Sequence, residues 1–66
     1  MGKKTVSVLI VDDSALMRSL IGKIIEAADG LEVAGKAMNG KFALQKITTL
    51  HPDVIVLDLE MPEMNG

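Results

Sequence analysis

The sequence predicts an α/β fold built on a small parallel sheet, and three observations carry that reading. Val8-Leu9-Ile10-Val11 and Val54-Ile55-Val56-Leu57 are short apolar runs rich in β-branched residues, the pattern of strands buried on both faces. Each run stops at carboxylate, Asp12-Asp13 in the first and Asp58 in the second. Between them, two segments with helical apolar spacing alternate with a third, less apolar strand. Strand, helix, strand, helix, strand makes two successive βαβ units, whose crossovers are expected to be right-handed.

The first strand is predicted over Val6 to Val11. Asp12-Asp13-Ser14 then supplies helix-start residues, with Ser14 or Asp13 able to cap the free amides of the next turn. From Ala15 to about Ala28, Met17, Leu20, Ile21, Ile24, Ile25 and Ala28 recur at helical spacing, with Arg18, Ser19, Lys23 and Glu26 on the other face. Asp29-Gly30 is expected to end this helix, because Gly is favoured just past a helix end. Leu31 to Ala37 alternates only partly, which suits a strand near the sheet edge. Asn39-Gly40 reads as a turn. Lys41 to Leu50 is the second predicted helix, with Ala43, Leu44, Ile47 and Leu50 on one face. His51-Pro52 stops it, since the residue before proline avoids the helical region. The third strand follows at Val54 to Leu57, and Asp58 to Gly66 reads as a loop.

The first and third strands are the most apolar and both end in Asp, so they should be neighbours, giving the order 2-1-3. That order puts a switch point at their carboxyl ends, where open parallel sheets bind ligands. Asp12, Asp13 and Asp58 would then share one crevice. Carboxylates so close repel one another and need a proton or a cation. A hard divalent metal is the simplest resolution. The plain alternative is that Asp12-Asp13 caps a helix and Asp58 forms a turn, but one cap uses one Asp and leaves the other unexplained.

Sixty-six residues allow a single, marginal domain, assigned to residues 5–66, with 1–4 as a flexible N-terminus. Hydrophobic content is 48% with a mean hydropathy of +0.34, so part of the apolar surface expects cover. A net charge of -2 gives no case for nucleic acid or anionic membranes. Without cysteine there is no disulfide framework and no thiolate zinc site. No segment approaches the roughly 20 apolar residues that span a bilayer. Lys3-Lys4 ahead of an apolar stretch imitates a signal peptide, but Asp12-Asp13 ends it too early, and Val6 breaks the myristoylation pattern of Met1-Gly2. A cytoplasmic location is expected. No glycine-rich dinucleotide or Walker motif is present. His51 is expected in the last turn of the second helix, where its charge suits the dipole. Phe42 lies beside that helix's buried face, exposed or packed on a partner; Lys36 and Lys41 are expected to be solvated.

Three segments carry a resemblance. Val-Leu-Ile-Val-Asp-Asp-Ser-Ala-Leu-Met-Arg from Val8 to Arg18, Asn-Gly-Lys-Phe-Ala-Leu from Asn39 to Leu44, and Pro-Asp-Val-Ile-Val-Leu-Asp-Leu-Glu-Met-Pro-Glu-Met-Asn-Gly from Pro52 to Gly66 resemble the receiver domains of two-component response regulators. Asp-Asp-Ser-Ala-Leu-Met-Arg with Leu-Asp-Leu-Glu-Met-Pro is most similar to receivers of the chemotaxis protein-glutamate methylesterases. Receivers joined to DNA-binding domains share most of these residues. The resemblance implies a flavodoxin-like receiver fold, of which this chain would be the amino-terminal half. It implies that Asp58 accepts a phosphoryl group from a histidine kinase. It also implies Mg²⁺ held by Asp13 directly, by Asp12 largely through water, by Asp58, and by the backbone carbonyl of Glu60. A methylesterase effector outside this chain would act on chemoreceptors. The family's signal-sensing Ser or Thr, its conserved Lys and its aromatic switch residue have no counterpart here.

Two other readings remain open at this point. A phosphatase working through an aspartyl phosphate wants Asp-x-Asp after a strand, and Ser14 stands at the second position after Asp12. A half-domain with a bare third strand would pair with a second copy or a complementary half. No Ser-His-Asp constellation is available, so esterase activity is not expected of the chain itself.

Overall fold

The computed structural model describes residues 4–58. Strand β1 (Val6–Asp12), helix α1 (Ala15–Ala27), strand β2 (Leu31–Ala37), helix α2 (Gly40–Leu50) and strand β3 (Val54–Asp58) follow in that order. The strands are parallel and ordered β2-β1-β3, as predicted. The structure extends the first and third strands by one residue each, so Asp12 and Asp58 belong to the sheet rather than to the loops after it.

Strand β1 is buried on both sides, and its alternation sorts the core. Leu9 and Val11 pack with Ala37, Ala43 and Ile47 beneath α2. Val8 and Ile10 pack with Ile25, Ile21, Val6, Val33 and Val56 beneath α1. The helices therefore cover opposite faces. Their crossovers run in opposite directions across the sheet, so the two share one hand, as the rule for βαβ units requires.

Strand β2 contains a register shift that the sequence signals only as poor alternation. Val8 stands opposite Val33, but Leu9 stands opposite Gly35, leaving Ala34 as an extra residue. Val33 and Ala37 are four apart and would share a face in a regular strand. The extra residue switches the alternation. Val33 consequently joins the core under α1, and Ala37 the core under α2.

The helix ends follow local chemistry. Ser14 caps α1, its side chain accepting from the Met17 N–H at 3.3 Å. Past the C-cap Ala28, the Leu31 N–H reaches the Ala28 carbonyl and Gly30 takes φ +84°. Asp29-Gly30 is thus a turn beyond the helix end, and it needs Gly because L side chains rarely adopt that φ. Asn39 is the N-cap of α2, accepting from the Phe42 N–H at 3.0 Å. Helix α2 therefore starts at Gly40, and Asn39-Gly40 opens it rather than forming a separate turn. His51 is not in the last helical turn. It is the C-cap, in the left-handed region at φ 50° and ψ 58°.

Each helix covers only β1 and β2, so the expected apolar faces are only partly buried. On α1, Ile25 is buried and Ile21 and Ala28 half-buried, whereas Met17 and Leu20 are exposed and Ile24 is 69% exposed. On α2, Ala43 and Ile47 turn inward while Leu44 is 67% exposed and Leu50 sits at the rim. Among the described residues, strand β3 pairs only with β1, and of its side chains Val56 alone joins a core cluster. The apolar run of β3 reads like that of β1, yet Val54, Ile55 and Leu57 are exposed. Burial on both faces requires helices over the strand, and neither helix reaches it.

A reciprocal clasp joins the start of β3 to β1. The Ser7 N–H and hydroxyl donate to Asp53 Oδ2 at 2.9 and 3.2 Å. The Asp53 N–H in turn donates to the Ser7 carbonyl at 2.9 Å and lies 3.1 Å from the Ser7 hydroxyl oxygen. Donation by the Ser7 N–H and then its hydroxyl, with a smaller contribution from the Lys4 charge, holds the Asp53 carboxyl below its ordinary 3.8.

Two outcomes follow from these local structures. Because the folded value of Asp53 is depressed, the clasp should be complete above the ordinary carboxylate range and lost as pH falls below 3.8 through the folded value. The Ser7 amide shift in NMR should titrate in that acid window, and Asp53→Asn should abolish the titration. Replacing His51 by Gly should remove the left-handed penalty and stabilise the fold by about 0.5–1 kcal/mol, read as a higher urea midpoint. His51→Val should lower that midpoint.

Candidate functional site

Strands β1 and β3 run in step, from Val8 opposite Val54 to Asp12 opposite Asp58. Two apolar runs of similar length, started level with each other, must end level. The register thus sets the two carboxylates side by side at the carboxyl edge of the sheet. Asp12, Ser14, Met17 and Asp58 line a cleft there of about 200 Å³.

Asp12 is 2% exposed. Its Oδ1 accepts from the Ser14 N–H at 2.9 Å, a local bond that short Asp side chains favour at helix starts. Its Oδ2 is buried and has no hydrogen-bond partner among the described residues. Ser14 therefore serves twice, capping α1 with its hydroxyl and gripping Asp12 with its amide. Arg18 Nη1 donates to the Asp12 main-chain carbonyl at 2.7 Å, pinning the strand end that carries the carboxylate.

Of the predicted site residues, the structure brings Asp12 and Asp58 together. Asp13 is exposed and is not part of the cleft lining. Glu60, whose carbonyl is an expected ligand, lies outside the described residues. Among the described residues no three His, Cys, Asp or Glu side chains converge as a ready ligand set. The donors present still suit one class of ion. An ionised carboxylate oxygen buried without a partner is costly. Oxygen donors without imidazole or thiolate fit Mg²⁺ or another hard cation rather than zinc.

Sequence reasoning placed Arg18 on the outer face of α1 and did not single out Ser7 or Asp53. A signal for Arg18 was present, since positions 18, 21, 25 and 28 form one helical stripe and the last three face the sheet. The Ser7–Asp53 clasp had no local signal, because its partners are 46 residues apart.

Known proteins match this arrangement. The family of response regulator receiver domains matches residues 8–66. A protein-glutamate methylesterase/protein-glutamine glutaminase of Treponema denticola is 74% identical over 61 residues, covering 92% of this chain and 16% of its own length. The protein of the same description from Treponema pallidum is 69% identical, covering 92% of this chain and 15% of its own. The crystal structure of the response regulator domain of Thermotoga maritima CheB superposes with a TM-score of 0.83 at 44% identity. That match covers 96% of this chain and 47% of the Thermotoga chain. The chain therefore spans about one sixth of these curated relatives and about half of the solved domain. No helix among the described residues is long and apolar enough to cross a membrane. Its parallel sheet with paired terminal carboxylates, and its match to the family across nearly its whole length, make one conclusion: this chain belongs to the response regulator receiver domain family.

Proposed function

We propose that Asp58 is a phosphoacceptor served by a histidine kinase, and that Asp12, Asp13 and the Glu60 carbonyl join it in holding Mg²⁺. The observation that carries this reading is the pairing of Asp12 with Asp58 in one cleft, with Asp12 Oδ2 buried and without a partner among the described residues. Asp58 is the more exposed of the two, as a group that must meet a phosphodonor needs to be. A carboxylate oxygen of Asp58 would form the bond to phosphorus as the bond to the donor nitrogen breaks, its electron pair leaving with the imidazole. Asp12, fixed by Ser14 and Arg18, would keep its charge at a constant place while Asp58 reacts. Mg²⁺ at these oxygens would supply charge neutralisation of the incoming phosphoryl group.

The methylesterase relatives support a further step: the receiver would regulate a protein-glutamate methylesterase effector acting on chemoreceptors in the cytoplasm, with esterase catalysis lying outside this chain. Incubation with acetyl phosphate and Mg²⁺ should add one phosphoryl group, detected by intact mass. Asp58→Asn should abolish the adduct, and Asp12→Asn should slow its formation at least about tenfold. An adduct that persists in Asp58→Asn would remove this assignment.

A second reading has its own observation: among the described residues no strand pairs with the outer side of β3, and Ile55 and Leu57 are exposed. Unpaired apolar strand edges recruit other strands, so the chain by itself would self-associate through β3. Sedimentation equilibrium should then give a mass that rises with concentration, and Ile55→Lys should return it to the monomer. A single monomer mass at all concentrations would refute association.

A further inference from the structure

A second cleft, which shares no lining residue with the carboxylate cleft, lies at the carboxyl end of β2. Arg18, Lys36, Ala37, Met38, Phe42 and Lys46 enclose about 280 Å³ there. The chain as a whole is acidic, at -2, yet three of its seven Lys and Arg residues line this cleft and no Asp or Glu of the described residues does. Two exposed apolar side chains, Met38 and the chain's one aromatic residue, Phe42, stand among them.

The lysines are seated rather than scattered. Gly22 lies inside α1, where glycine weakens a helix. A Cβ on Gly22 would meet Lys36 Cε at 3.2 Å and Nζ at 3.3 Å, so the missing side chain is what lets the Lys36 stem lie across the helix. Arg18 sits one turn earlier on the same stripe of α1. On the opposite face of the sheet, the Lys46 stem runs beside Gly35, its Cδ 3.7 Å from where a Cβ would stand. The strand's end is thus approached by a lysine from each face, with Met38 and Phe42 alongside.

We propose that this cleft docks an acidic peptide segment of a partner protein, a segment carrying an apolar side chain between its carboxylates. The cations match the carboxylates, and Ala37, Met38 and Phe42 form the apolar part of the seat. The outer side of β2 has no strand paired to it among the described residues, so an extended segment can add its backbone there. A nucleic acid is a poorer occupant, because it needs a long run of cations and meets a net negative chain. The cleft shares Arg18 with the strand end that carries Asp12, but its lysines do not line the carboxylate cleft. Strands β2 and β3 are opposite edges of the sheet, so pairing at β3 leaves this edge open.

Fluorescence anisotropy with the full chain and a fluorescein-labelled peptide, one Leu flanked on each side by two Glu, tests the assignment. Saturable binding is expected, weakened about tenfold or more by joint Lys36→Glu and Lys46→Glu and unchanged by Lys23→Glu. Gly22→Ala favours the helix while displacing Lys36, so it should keep the fold by circular dichroism yet bind several-fold more weakly. Absence of saturable binding overturns the proposal. So does undiminished binding in the Lys36→Glu and Lys46→Glu chain, or tighter binding of an oligothymidylate of equal charge.

Discussion

Strand β1 is the element on which every other depends. It pairs with β2 on one side and β3 on the other and lies under both helices. Leu9, Ile10 and Val11 are wholly buried, and consecutive residues of a strand face opposite ways. Three adjacent side chains therefore serve two separate cores. Shortening any of them would open a cavity, with a cost of about 2–5 kcal/mol for Leu or Ile to Ala. For a domain of this size that is a large share of all its stability. The same strand delivers Asp12 to the site, so the residue most costly to bury is carried by the strand most firmly held.

That coupling explains the environment of Asp12. A carboxylate at the end of a buried strand loses water and must find substitutes. The described residues supply one local donor, the Ser14 amide, and leave the second oxygen without a partner among them. Stability would favour another donor or a neutral residue. Natural sequences tend to break such local rules at functional sites. Arg18 bonds the Asp12 carbonyl rather than its carboxylate. It steadies the backbone without occupying the acidic oxygens.

The two edges of the sheet differ in chemistry. Strand β3 presents Val54, Ile55 and Leu57 without charge among them, continuous with the exposed Leu20 and Ile24 of α1 in being apolar. At β2 the apolar residues are few and are interleaved with Lys36, Lys46 and Arg18, which suits reversible contact with a polar partner.

The sequence by itself determined the order of elements, the parallel sheet, the strand order and the two carboxylates of the cleft. These depend on local signals, apolar runs and the residues that stop them, and the chain carries those signals within a few residues. Tertiary structure alone decided which apolar faces become core. Helix periodicity marks a stripe on α1 from Met17 to Ala28, but a helix can bury only what has a sheet beneath it, so Ile25 enters the core and Ile24 does not. The shift at Ala34 likewise appears only when β2 meets β1, since register belongs to a pair of strands and not to one. The separation of Asp13 from Asp12 is of the same kind: neighbours along the chain, they part because the strand continues through one and ends before the other.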